Sequence, residues 1–208
     1  FRRVLFRSEP AAEQEFAAAV QSFRGGDAAA ALDHAARAVE IDPGYSDARL
    51  ELARLLIAAR RPADAEANLR TGAAADPRHY GLATNLGALL CQSARAAEGA
   101  QWLQRAAELR PELAQAQYNL ANAWKAAGQM ERAVEHYRAA IARDPNYGAA
   151  YGNLGNCLAQ LGHTHEASVA HERATELRRK TAIDPRQDTF RRTTEGKLRH
   201  DIEQIEYL

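Results

Sequence analysis

The sequence predicts an all-α fold in which five helix pairs stack as a solenoid. The first observation is an internal repeat, because four prolines recur at one constant interval, at Pro43, Pro77, Pro111 and Pro145. The second is the composition, which is rich in alanine and poor in β-branched residues and therefore favours helix. A proline stops a helix, so each of the four should close one helix pair.

Cutting the chain at the prolines defines five units. The pattern of each unit predicts a helix, a short turn, a second helix and then a residue that ends this helix. The turn position holds Gly26, Gly128 and Gly162 in three units, where a left-handed residue is expected to end the first helix. The other two units depart from glycine there, with Arg60–Pro62 and Ser93–Ala94. The five units comprise residues 10–43, 44–77, 78–111, 112–145 and 146–179.

The two ends of the chain do not follow the repeat. Residues 1–9 are expected to be an unstructured or non-native tail. Arg179 replaces the proline in the last unit, so the final helix should run on toward Asp184-Pro185. Residues 180–208 should contain a linker and a helix that either caps the last repeat or begins a further domain. One stripe of that helix would be apolar, with Leu198, Ile202, Ile205 and Leu208.

Residues 10–179 resemble the tetratricopeptide repeat family, whose unit has this same length and carries small and large residues at fixed offsets. The resemblance implies a right-handed superhelix whose first helices line a concave groove. It also implies a protein or peptide partner, no cofactor and no catalytic site in this chain. The pattern is clearest in the fourth unit, with Leu120, Ala121, Trp124, Gly128, Ala133, Tyr137, Ala140 and Pro145.

Asparagines recur with the same period on the first helices. Asn85, Asn119 and Asn153 are separated by the interval that separates the prolines, and Asn122 and Asn156 follow three positions after two of them, on the same helix face. A carboxamide offers both a donor and an acceptor, so it can form hydrogen bonds with both the carbonyl and the N–H group of a peptide unit. The row is similar to the asparagine ladder in the superhelix of O-linked N-acetylglucosamine transferases. This resemblance predicts that Asn85, Asn119 and Asn153 bind the main chain of an extended peptide, and Asn122 and Asn156, as a second parallel row, are expected to bind it as well.

Tyr118, Leu50 and Arg54 are predicted to add further contacts to the peptide from the same groove. Two alternatives remain open at this point. The amides could instead bond to adjacent helices and fix the register of the repeats. The chain could also be the substrate-recruiting N-terminal arm of a larger enzyme, a glycosyltransferase or an oxygenase.

Composition and spacing argue against several other functions. The chain has 27 basic and 27 acidic side chains, and this balance argues against nucleic acid or an anionic membrane as partner. Two cysteines in helical segments, Cys91 and Cys157, indicate a reducing compartment, so a cytoplasmic location is expected. His163, His165 and His171 lack the spacing of metal ligands on a helix, so no metal site is predicted.

Overall fold

The computed structural model describes residues 8–182, and within this range all regular structure is α-helical. Residues 1–7 of the expected tail, and residues 183–208 with the expected terminal helix, lie outside the described residues. The ten helices are α1 Pro10–Arg24, α2 Ala28–Ile41, α3 Ser46–Ala58, α4 Pro62–Ala75, α5 Tyr80–Gln92, α6 Ala96–Leu109, α7 Ala114–Ala126, α8 Met130–Arg143, α9 Gly148–Gln160 and α10 Thr164–Ala182.

Consecutive helices form five pairs, and the prediction of an all-α repeat fold is confirmed. The second helices of the first four pairs each have 14 residues. The last one, α10, has 19 residues and continues past Arg179 to Ala182. The helix therefore runs on where the proline is missing, as the sequence predicted.

The turn inside each pair has one backbone geometry in all five repeats. The residue at the turn position is left-handed, with φ of 84° at Gly26, 76° at Gly128 and 83° at Gly162. Arg60 and Ala94 take the same conformation, with φ of 57° and 59°. Such a conformation costs a residue with a Cβ about 1–2 kcal/mol. Helix packing therefore imposes the turn even where the sequence supplies no glycine.

The chain divides into two compact units between Leu86 and Gly87, within α5. In the first unit, Leu55 packs against small side chains of α1 and α2, including Ala19 and Ala35. In the second unit, the fully buried Tyr137 lies at the centre of a core built from α7 to α10.

The two helices of the third pair, α5 and α6, are in close contact at two glycines, Gly87 and Gly99. A Cβ on Gly99 would lie 2.6 Å from the carbonyl oxygen of Gly87 and 2.5 Å from Cys91 Sγ. A Cβ on Gly87 would lie 2.6 Å from Leu103 Cγ. The other four repeats carry alanine where Gly99 stands. The departure from alanine at this position thus follows from backbones that leave no room for a methyl group.

Replacing Gly99 by alanine should destabilise the second unit. Alanine normally stabilises a helix interior by about 1 kcal/mol relative to glycine. Here the added methyl group meets a backbone oxygen that cannot move aside, and overpacking of this kind costs about 1–3 kcal/mol. Urea unfolding followed by circular dichroism should show a lower midpoint for Gly99→Ala.

The matched control is Gly152→Ala in α9, because a Cβ at Gly152 meets no atom within 4 Å. This variant should be more stable than the parent chain by about 0.5–1 kcal/mol. Equal stabilisation by the two substitutions would show that α5 and α6 are not in close backbone contact.

Candidate functional site

Helix α7, the first helix of the fourth repeat, carries a row of polar side chains along one face. Gln115, Tyr118, Asn122 and Lys125 follow one another at intervals of three or four residues, and Asn119 borders the row. All five side chains are half-buried. The row therefore lies where α7 meets its neighbours and still reaches solvent.

Helix α9, the first helix of the fifth repeat, adds two asparagines. Asn153 is half-buried and its side chain reaches α7, whereas Asn156 is exposed. Both helices belong to the second compact unit. Together they form a surface that we call the amide face, consisting of Tyr118, Asn119, Asn122, Lys125, Asn153 and Asn156.

Asn153 joins the two helices through three hydrogen bonds. Its Nδ2 donates to the hydroxyl oxygen of Tyr118 at 3.0 Å and to Oδ1 of Asn122 at 3.2 Å. Its Oδ1 accepts from Nζ of Lys125 at 3.3 Å. Both N–H groups of this amide are therefore occupied, and one lone pair of its oxygen remains.

Asn122 is held from the other side by the core. Its Oδ1 accepts a hydrogen bond of 2.6 Å from the hydroxyl of Tyr137, which is fully buried on α8. Burial raises the pKa of the Tyr137 phenol, so the hydroxyl keeps its proton and acts as the donor. The oxygen of Asn122 thus has two donors, from Tyr137 and Asn153, whereas its Nδ2 has no partner within residues 8–182.

Asn119 is oriented by a second chain of hydrogen bonds. Gln115 Nε2 donates to Asn119 Oδ1 at 2.6 Å, and the hydroxyl of Tyr147 donates to Gln115 Oε1. The ring of Tyr147 also packs against the ring of Tyr118, with 4.8 Å between centroids. The Nδ2 of Asn119 has no hydrogen-bond partner in the described part of the chain, so this amide also keeps its donors.

Asn85 and Leu50 belong to the first compact unit, where they are oriented by α5. Asn85 Nδ2 donates to the carbonyl oxygen of Gly81, one turn earlier, at 2.9 Å. Leu50 of α3 packs on the same glycine, since a Cβ on Gly81 would lie 2.9 Å from Leu50 Cδ1. Asn85 thus already donates a hydrogen bond to the backbone of α5, and Leu50 already packs against that backbone, although both were predicted to contact the peptide.

Arg54, the third predicted residue of the first unit, is engaged within the chain. Its Nε donates to Glu51 Oε2 at 3.0 Å, and both side chains are about nine-tenths buried, at 12% and 9% exposed. The guanidinium also lies over the ring of Phe23, 3.8 Å from the centroid. The charge of Arg54 is therefore neutralised where it stands.

Sequence reasoning missed a set of polar pairs that tie the two helices of one repeat. In three repeats a polar residue of the first helix bonds to one 19 residues later on the second helix. This constant interval was visible in the sequence, but nothing in it showed that the two positions face each other. The pairs are Glu15–His34 at 2.6 Å, Arg49–Asn68 at 3.0 Å and Gln117–His136 at 2.9 Å.

Residues 8–182 lack the features of a metal site and of a membrane-spanning helix. No group of three or more His, Cys, Asp or Glu side chains there is arranged to hold a metal ion. No helix in that range combines the length and the apolar character needed to cross a membrane.

A family model of the tetratricopeptide repeat matches residues 11–90 and 125–187, which is more than half of the chain. The chain belongs to this family. Tetratricopeptide repeats are generally a non-catalytic fold for protein interaction. Among curated proteins, none matches the chain.

Solved structures of other repeat proteins share the fold. A crystal structure of MamA has a TM-score of 0.74 and 24% identity, covering 79% of this chain and 96% of that one. MamA from Desulfovibrio magneticus RS-1, residues 41 to the end, has a TM-score of 0.75 and 18% identity, covering 84% and 98%. YrrB, described as a TPR protein with an unusual peptide-binding site, has a TM-score of 0.69 and 19% identity, covering 80% and 86%.

Replacing Asn122 by alanine should destabilise the second unit, because it leaves the buried hydroxyl of Tyr137 without its acceptor. We expect the free energy of unfolding to fall by about 1–3 kcal/mol. Adding Tyr137→Phe to this variant should cost much less than the same change in the parent chain, since the hydroxyl has already lost its partner. Denaturant unfolding of the four proteins in this cycle measures the coupling.

Asn156→Ala serves as the control, because this amide is exposed and makes no hydrogen bond to a described residue. Its effect should stay within about 0.5 kcal/mol. Additive effects of Asn122→Ala and Tyr137→Phe would contradict the proposed link between the core hydroxyl and the amide face.

Proposed function

We propose that this protein-interaction scaffold holds an extended peptide against the amide face through contacts with the peptide main chain. The observation that carries the proposal is the hydrogen-bond inventory of α7. Asn119 and Asn122 each have their oxygen bonded within the chain, and each keeps an Nδ2 group without a partner among the described residues. A peptide carbonyl oxygen is the acceptor that such groups would meet in an extended ligand.

The internal bonds orient the amides before a ligand arrives. Gln115 fixes Asn119, and Tyr137 fixes Asn122, so neither side chain has to give up rotamer freedom on binding. Side-chain ordering otherwise costs about 0.5–1.5 kcal/mol for each immobilised group. The internal bonds that orient Asn119 and Asn122 therefore also favour ligand binding.

The hydrogen bonds within the chain also limit which atoms of each amide are available to a peptide. The oxygen of Asn122 and the nitrogen of Asn153 are occupied, so these two residues cannot hold a peptide unit by both ends. Asn156 is exposed and keeps donor and acceptor together. Asn119 keeps its donors and one lone pair. We therefore assign to Asn119 and Asn156 two-ended contacts, in which the amide both donates to and accepts from the peptide. Asn122 is assigned a single contact, in which it only donates.

The spacing of the two helices suits an extended chain. Packed helices lie about 8–10 Å apart, and an extended peptide advances about 3.3 Å per residue. A peptide that crosses α7 and α9 would therefore place about three residues between successive contacts. The peptide-binding site described for YrrB, which shares this fold, supports the use of the architecture for this purpose.

The test begins with peptides selected from a random display library on the full chain. Their dissociation constants are measured by fluorescence anisotropy, and backbone esters are then introduced one at a time, because an ester oxygen is a poorer acceptor than an amide oxygen. Ester substitutions should weaken binding more than alanine substitutions in the peptide do. Asn119→Ala should weaken binding about thirtyfold, the effect of losing the two net hydrogen bonds of a two-ended contact.

The control variant is Asn146→Ala, which removes an exposed asparagine that lies in the turn between α8 and α9 and is not part of the amide face. It should bind like the parent chain. The proposal is wrong if no selected peptide binds, or if side chains of the peptide determine affinity while the ester series has no effect.

A further inference from the structure

We infer that the peptide held by the amide face carries an Asp or Glu side chain that pairs with Lys125. This inference rests on the proposed function and specifies the chemistry of the partner. The two helices that form the surface differ in charge from the rest of the chain taken together. Neither α7 nor α9 contains an acidic residue, and Lys125 is the only charged residue in either helix.

Lys125 is a half-buried cation whose known partner is a neutral amide. Its Nζ donates to Asn153 Oδ1 at 3.3 Å, and no carboxylate of the described chain forms an ion pair with it. Lys180, the other lysine within residues 8–182, is paired with Glu176 at 2.7 Å. Arg54 and Arg138 are likewise paired, with Glu51 and Glu166.

Leaving a partly desolvated ammonium group without a counter-ion is unfavourable. Nζ has three N–H donors, and Asn153 uses one of them. Two donors of Lys125 are therefore available to an acceptor that approaches the amide face. A carboxylate satisfies both requirements, because it supplies a negative charge and only accepts hydrogen bonds.

The groups around Lys125 offer donors as well. The hydroxyl of Tyr118 accepts from Asn153 and can donate its own proton onward. The Nδ2 groups of Asn119 and Asn122 have no partner among the described residues. Most of the unused hydrogen-bonding groups of the amide face are thus donors. They match an acidic ligand, whose carboxylate accepts hydrogen bonds. A basic ligand would instead bring its own donors against these donors.

The carboxylate is assigned to a side chain because main-chain recognition requires the peptide to continue across both α7 and α9. A C-terminal carboxylate at Lys125 would instead end the peptide at this point. The two sources have the same chemistry, so the experiment must separate them.

The probes are the fluorescein-labelled peptides obtained by display selection, each compared with its Glu→Gln or Asp→Asn counterpart and with its C-terminal amide. We expect the selected peptides to contain an acidic residue. Neutralising that residue should weaken binding to the parent chain about tenfold, as for a charge-assisted hydrogen bond, and added salt should reduce the difference. Amidation of the C-terminus should have no effect.

Lys125→Gln keeps a donor for Asn153 and should bind the acidic and neutralised peptides equally, whereas Lys125→Arg should keep the preference. Lys180→Gln is the matched control and should also keep it, because Lys180 is already paired with Glu176 on α10. Denaturant unfolding of each variant confirms that it is folded.

The inference is overturned if the selected peptides lack acidic residues, if Lys125→Gln retains the preference, or if amidation rather than side-chain neutralisation weakens binding. Its failure can be told apart from failure of the proposed function. If peptides bind and Asn119→Ala weakens them while charge has no influence, only the role of Lys125 is wrong. If no peptide binds, both are wrong.

Discussion

The hydrogen bond from the buried hydroxyl of Tyr137 to Asn122 orients the two amides at the centre of the amide face, Asn122 and Asn153. The hydroxyl has left water and needs an acceptor, and the oxygen of Asn122 supplies it at 2.6 Å. With its oxygen turned to the core, Asn122 can also accept from Asn153 across the repeat boundary. Core packing, the register of the fourth and fifth repeats and the direction of the amides are therefore coupled through one tyrosine.

This coupling explains how the amide face can be specific to two repeats although the helices of all five repeats follow one pattern. The position of Tyr137 holds alanine, leucine, leucine and histidine in the other four repeats, so only the fourth repeat places a phenolic hydroxyl there. The helices of all five repeats follow one pattern of small residues and left-handed turns, which provides the scaffold. The side chains that differ between repeats, above all Tyr137 and Lys125, then give the second unit its distinct chemistry.

The fold could be predicted from the sequence because its determinants are local and periodic: prolines at a constant interval, glycines at the turns and small residues between helices. The arrangement of the site could be predicted only in part. The spacing of Asn119, Asn122 and Asn153 identified the polar surface, but which end of each amide is occupied depends on partners 4 to 35 residues away. Likewise, the zero net charge of the chain concealed that α7 and α9 carry a single, positive charge.

The most direct test of the account is hydrogen exchange of the asparagine side-chain amides, followed by nuclear magnetic resonance on the free and peptide-bound chain. In the free chain, the Nδ2 protons of Asn153 should be protected, whereas those of Asn119 and Asn122 should exchange as fast as those of the exposed Asn156. Addition of a bound peptide should slow exchange at Asn119 and Asn122. Protection of these two amides in the free chain, or exchange that the peptide leaves unchanged, would contradict the account.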